Sequence, residues 1–181
     1  SRIEKKLEKE KTMNIKVSVS FGIGTKAVKE ENSMDMLNLA EERMYNHKIN
    51  EKSRNRRAVI KSIHNTLIAR NESEKNHANQ VGAICKSMGQ ILGFEEEKIK
   101  ELEIAGQLHD IGKIAIETSL LTKPSKLTQT EWNSMVQHSE IGYRLLSTTN
   151  EYNNLANFVR YHHERWDGKG YPQGLEGKQI P

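Results

Sequence analysis

The sequence predicts a mostly α-helical protein, a helical bundle preceded by a small α/β segment. Three observations carry that expectation. Beyond about residue 77, apolar residues recur at the three- and four-residue spacing of helix faces. A single alternating run, Val17 to Ile23, stands in the first third of the chain. The charges divide at the same place: residues 1–58 hold 14 Lys or Arg against 9 Asp or Glu, and residues 59–181 hold 14 against 15. A boundary is expected near Arg54–Ala58, giving segments 1–57 and 58–181.

The elements follow in order. Val17, Val19, Phe21 and Ile23 alternate with Ser18, Ser20 and Gly22, the period of a half-buried strand. After it a helix is expected, with Ser33 as N-cap, Asp35 in the first turn, and Leu37, Ala40, Met44 and Tyr45 on one apolar face. The basic run Lys52–Arg57 reads as a solvated linker or helix surface rather than a phosphate patch. Val81, Ile84, Met88, Ile91 and Leu92 predict an inward helix face, closed by Gly93. Ile99, Leu102, Ala105 and Leu108 predict another. Pro124 marks a loop, and Thr128-x-x-Glu131 is a capping box opening a helix with Met135, Ile141 and Leu145 on one side. Leu155, Phe158 and Val159 begin a fourth face.

Composition bounds the function. The 181 residues are 35% apolar and 29% charged, with a net charge of +4 and a mean hydropathy of −0.77. The chain is polar, yet it retains enough Leu, Ile, Val and Met for a modest core. So small a positive charge gives no reason to expect a DNA or RNA polymer as partner. Cys85 is the single cysteine, which excludes a disulfide scaffold and favours a reducing, cytoplasmic home. No apolar run approaches the ~18 residues of a membrane span, so no membrane contact is expected from this segment. The Cys85 thiol, with no base nearby in sequence, reads as a small buried hydrophobe rather than a nucleophile.

The chemistry concentrates in histidine. Of seven, His47 and His64 look like ordinary surface or helix-flank residues. The other five fall on inward faces: His77 four before Val81, His109 four after Ala105, His138 three after Met135, and His162 and His163 four after Phe158 and Val159. Five unpaired imidazoles in one core would be costly to desolvate. Converging on metal removes that cost, because imidazole and the neighbouring Asp110 carboxylate are good ligands for first-row metals. Helices aiming such groups at one centre make a bundle-core metal site. Two cations bridged by a carboxylate suit in-line attack on a phosphodiester, and Lys113 would add fixed positive charge there. The Gly-rich stretch Trp166 to Pro172 follows the double histidine directly and is expected to lie against a ligand.

His109-Asp110-x-Gly112-Lys113, His162-His163-Glu164 and Gly170-Tyr171-Pro172 resemble the HD-GYP family. Leu121-x-Lys123-Pro124 and Met135-x-x-His138-x-x-Ile141-Gly142 carry the resemblance between them, and it covers about residues 60 to 181. It implies an all-helical HD-domain bundle that hydrolyses cyclic-di-GMP to the linear dinucleotide or GMP. It further implies two divalent ions, Fe or Mn, with a third less expected because Ser73 stands where three-metal members often carry Glu. Glu72 and Glu74 beside it are expected on other helix faces. The implied metal ligands are His77, His109, Asp110, His138, His162 and His163. Asp110 and Lys113 are the implied catalytic residues, and Lys113, Gly170, Tyr171 and Pro172 the substrate contacts. A further Asp ligand and closing helices would lie beyond Ile180-Pro181, so the domain is expected to be C-terminally incomplete.

Residues 1–57 resemble the C-terminal end of a GGDEF diguanylate cyclase domain, through Val17-x-Val19-Ser20-x-Gly22-Ile23-Gly24, Leu39-Ala40-x-x-x-Met44-Tyr45 and Arg54-Asn55-Arg56. Ser53 departs from the family's usual Gly, and the signature and its nucleotide residues are absent from the segment. The resemblance implies a tandem signalling protein, with contacts to a GGDEF domain and a homodimer as possible partnerships. The competing expectations are an HD hydrolase of another phosphodiester or of a nucleotide, and a non-catalytic receptor for cyclic-di-GMP or for proteins.

Overall fold

The computed structural model describes residues 19–25, 32–70 and 72–181. The chain divides into two compact units, Ser1–Asn55 and Arg56–Pro181. The elements are α1 (Ser33–Arg70), α2 (Glu72–Ile91), α3 (Glu96–Leu108), a 3-10 helix (Ile111–Ala115), α4 (Thr118–Leu121), α5 (Gln129–Met135), α6 (Gln137–Ser147), α7 (Asn153–Tyr161) and a second 3-10 helix (Gly177–Gln179). Among the described residues there is no strand, only an isolated bridge between Asp167 and Glu176.

In the first unit, Val17 and Ser18 lie outside the described residues. Val19–Thr25 is irregular, which corrects the strand reading over its described part. Alternation alone supplies no ladder partner, and a strand without one leaves its backbone groups unpaired. The start of α1 also differs from expectation by one residue. Asn32, not Ser33, caps the helix, its Oδ1 accepting from the Met34 amide at 3.0 Å. Leu37 and Tyr45 are exposed; the better-covered line is Met36, Ala40, Met44 and His47, with the His47 ring stacked on Phe21.

The second unit is a helical bundle around Ile60, Ala105, Leu108, Ile111, Leu146, Tyr152, Leu155, Ala156 and Val159. The α3 and α7 faces read from periodicity supply much of this core. The capping box is present as expected: the Thr128 hydroxyl accepts from the Glu131 amide at 3.3 Å, and the Glu131 carboxylate accepts from the Thr128 amide at 2.7 Å. The single helix expected after it is instead two, α5 and α6, parted at Val136.

One face was read the wrong way round. Val81 is half-buried, but Ile84, Met88 and Ile91 of α2 and Leu92 just after it are exposed, Ile91 by 84%. The buried residues are Ala78, Gly82 and Gly89, of which Gly82 and Gly89 pack on α3. A Cβ built on Gly82 would lie 2.7 Å from the Gln107 side chain, and one on Gly106 would lie 3.0 Å from Cys85 Sγ. Small residues let the two helix axes approach, and the bulky stripe is therefore turned outward. Cys85 sits half-buried in this contact and burial pushes its thiol pKa up, as a packed, inert thiol should.

Gly112 positions the site. A Cβ there would fall 1.8 Å from the His138 carbonyl oxygen and 2.7 Å from the Gly142 amide nitrogen. Only glycine lets the 3-10 helix after Asp110 lie directly on α6, and that contact brings His138 to Asp110.

Candidate metal centre

The candidate ligands sit at helix ends. His109 follows the last residue of α3, His138 is in the first turn of α6, and His162 and His163 follow α7. The last carbonyls of a helix lack intrahelical partners, and the histidines use them. The Nδ1–H of His109 donates to Gly106 O, that of His138 to Met135 O, and that of His162 to Val159 O, each at 2.7 Å. Gly106, Met135 and Val159 lie in the terminal turns of α3, α5 and α7. A carbonyl only accepts, so Nδ1 carries the proton in each; in His138 and His162 this leaves the Nε2 lone pair aimed inward, while His109 Nε2 lies against the Asp110 carboxylate.

The Nε2 atoms of these three and of His77 meet around Asp110. His77 Nε2 and His109 Nε2 are 3.2 Å apart, and His138 Nε2 and His162 Nε2 are 3.3 Å apart. Asp110 Oδ2 faces the first pair, 3.0 Å from His109 and 3.7 Å from His77. Its Oδ1 faces the second, 3.4 Å from His138 and 3.8 Å from His162. Two candidate ligand groups result, Asp110-His138-His162-His163 and His77-His109-Asp110, sharing the one carboxylate. Asp110 Oδ1 is buried and, among the described residues, accepts no hydrogen bond. A buried carboxylate oxygen among inward-facing imidazole lone pairs is short of positive charge, and divalent cations fit that need.

The titration behaviour follows from the same crowding. For Asp110, burial works against ionisation, but the His109 hydrogen bond and charge, with Lys113, hold its pKa well below the usual carboxylate range. Burial lowers His138. Burial and the neighbouring His163 take His162 down to about 3, and burial and His138 take His163 down to about 4. These three imidazoles are neutral at pH 7, the form that binds metal. His109 departs upward: burial opposes its charge, but Asp110 outweighs it.

Lys113 lies 2.8 Å from Asp110 Oδ2 and 3.3 Å from both oxygens of Glu74. Burial opposes its charge, yet the two carboxylates raise its pKa. Glu74 corrects the sequence reading, which turned it away from the site. It is three residues before His77, and i and i+3 share a helix face, so the spacing already held that signal.

The loop after His163 is pinned by a residue that the motif contained but to which no role had been given. The Glu164 carboxylate accepts from the amides of Gln173, Gly174 and Leu175 at 2.7, 3.1 and 2.9 Å. The Tyr171 amide donates to His163 O at 3.3 Å. A Cβ on Gly170 would lie 2.4 Å from the Arg165 amide nitrogen, so this close turn requires glycine. The Tyr171 ring is thereby stacked on His163, with centroids 4.6 Å apart and planes at 26°. Burial pushes its phenol up to about 12. Pro172 follows through a cis peptide bond and is exposed. His47 lies outside this cluster, as does His64. The latter is half-buried rather than on the surface, and burial lowers its pKa.

Comparison with known proteins agrees with this geometry. The family described as HD domain matches residues 61–181. The cyclic di-GMP phosphodiesterase response regulator RpfG of Xanthomonas campestris is 37% identical over 135 residues, 74% of this chain and 36% of that protein. A cyclic di-GMP phosphodiesterase of Thermotoga maritima is 42% identical over 107 residues, 58% of this chain and 29% of its own length. The 3'3'-cGAMP-specific phosphodiesterase 2 of Vibrio cholerae is 34% identical over 125 residues, 68% and 24% of the two chains. The chain thus spans about a third or less of the relatives it matches.

Proposed function

The chain belongs to the HD-domain family, and from that premise we propose that it is the metal-dependent phosphodiesterase part of a longer protein and hydrolyses cyclic-di-GMP. The single observation that carries the reading is the divided Asp110 carboxylate, each oxygen facing its own pair of imidazoles. His77, His109 and Asp110 would hold one cation, and Asp110, His138, His162 and His163 the other. Two ions, Fe or Mn, are the proposed complement, and the mixed imidazole and carboxylate donor set suits both metals. When bound, such ions supply Lewis acidity toward the phosphate and acidify water.

The chain's own residues do the rest. The Lys113 ammonium, held between Asp110 and Glu74, offers a fixed positive charge to a phosphate oxygen. The Gly170-Tyr171-Pro172 turn, fixed by Glu164, brings the Tyr171 ring to the edge of the centre, where it can meet the dinucleotide. Residues 58–181 are assigned to this domain, and the family match beginning at residue 61 supports the division. Residues 1–57 are proposed as the end of a GGDEF domain, with a cytoplasmic setting and GGDEF or homodimer contacts in the whole protein.

A second reading has its own support: the relative named as 3'3'-cGAMP-specific makes that dinucleotide the first alternative substrate. The retention of His109, Asp110 and Lys113 argues against a receptor without catalysis. The test is anaerobic turnover of cyclic-di-GMP and 3'3'-cGAMP by the protein in its natural full length, loaded with Fe(II) or Mn(II). Linear product or GMP is expected from cyclic-di-GMP, lost on chelation. Bound metal and bound dinucleotide with no turnover would overturn the catalytic reading in favour of the receptor.

A further inference from the structure

Trp132 is an exposed aromatic side chain beside the metal centre that the motifs leave without a role. It is 45% exposed, although an indole of that size normally buries most of its surface. Its ring makes a T-shaped contact with Tyr171, centroids 5.8 Å apart and planes at 83°. Tyr171 is in turn stacked on the candidate ligand His163. Among the described residues no other ring packs on the indole, so part of its π surface faces solvent.

The residue is also held firmly. It lies on α5, whose first turn is closed by the Thr128–Glu131 capping box. Glu131 additionally accepts from Lys123 Nζ at 2.6 and 2.7 Å, which ties the helix to the preceding loop. Tyr171, against which the indole rests, is fixed through Glu164 and the His163 carbonyl. An aromatic platform anchored on both sides loses little freedom when a ligand stacks on it.

We propose that Trp132 is a base-stacking residue that selects purine-containing cyclic dinucleotides, with the phosphate at the metal centre and one base against the indole. The inference rests on the phosphodiester-substrate reading above. A phosphate and the base of the same nucleotide are separated by one ribose, and Tyr171 separates His163 from Trp132. Stacking favours the larger π surface of a purine, and needs none of the base-edge hydrogen bonds that would distinguish guanine from adenine.

The test uses the full-length, metal-loaded protein. Replacing Trp132 by Ala is expected to raise KM for cyclic-di-GMP by about 5- to 100-fold, the scale of one lost base stack. Metal content and kcat at saturation should stay within about twofold, and Trp132→Phe should restore most of the affinity. Cyclic-di-UMP should show a smaller KM change. Indole fluorescence should be quenched on adding cyclic-di-GMP, and that quenching should be lost or much reduced in Trp132→Phe. Quenching without turnover would keep the base contact and sink the catalytic reading. Absence of quenching, an unchanged KM in Trp132→Ala, or a failure of Phe to rescue would each overturn the inference.

Discussion

The two halves of the candidate metal centre share one carboxylate and little else. His138 is 2% exposed, and its group is completed by the buried Oδ1 of Asp110 and the partly buried His162 and His163. Across Asp110, the His77 side chain is 50% exposed, and beside it Lys113 and Glu74 form an ion pair at the surface of the site. The buried half is built by helix ends that need partners, so its histidines serve the fold as well as a metal. In the open half His109 is tied to the Gly106 carbonyl in the same way, and it is His77 that is half-exposed, set against His109 and Asp110. The cluster thus has its most buried candidate ligand in His138 and its most exposed in His77.

Several variants would break or sharpen that contrast. The largest effect is expected from Asp110→Ala, which removes the only group common to both halves. Turnover should fall by on the order of 10³-fold or more, since bound metals supply several kcal/mol of transition-state stabilisation. Both metal equivalents should be lost in elemental analysis, and retention of one would show that the carboxylate is not shared.

The two halves should then separate in stability. In chelator-treated protein, His138→Ala should destabilise by about 1–3 kcal/mol, the cost of losing a buried, hydrogen-bonded side chain. That is several degrees in a thermal melt, whereas His77→Ala should move Tm by no more than about 1 °C. Equal shifts would mean that the halves do not differ as described.

A smaller effect belongs to the loop. Glu164→Ala removes the acceptor of three amides, and kcat/KM should drop about 10- to 100-fold, as for residues that orient a site without touching the metal. Metal content should not change. Loss of metal would instead make Glu164 part of the ligand scaffold. The smallest change is expected from Glu74→Gln, which frees Lys113 from one of its two carboxylates. A partly exposed pair is worth about 1 kcal/mol, so kcat/KM should change by roughly fivefold. The effect should shrink in Lys113→Met, where there is no ammonium left to position.

The sequence made much of this legible, for reasons that differ between residues. His109 with Asp110, and His162 with His163, were readable because adjacent ligand types on apolar faces are costly unless they converge. The α3 face and the Thr128 cap were readable because they depend on contacts only three or four residues apart. The outward turn of Ile84, Met88 and Ile91 was not. Periodicity identifies a stripe, and here two stripes competed, one of bulky residues and one of Ala78, Gly82 and Gly89. Only the closeness of α3 decided between them. Val19–Thr25 failed as a strand for a related reason, since alternation says nothing about a pairing partner. Glu164 was visible in the motif, but its work is done on amides nine to eleven residues later, a distance set by the turn at Gly170.

The sequence by itself determined the helical class, the identity of the clustered donors and the family to which residues 61–181 belong. The first two rest on local spacing and residue chemistry, and the third on motifs that resemble a known family. The tertiary structure decided which oxygen of Asp110 faces which histidine pair, which face of α2 is inside, and that Glu74 and Trp132 lie at the centre's edge. Those facts depend on helix ends meeting across long separations in sequence, where close packing rather than periodicity chooses the outcome.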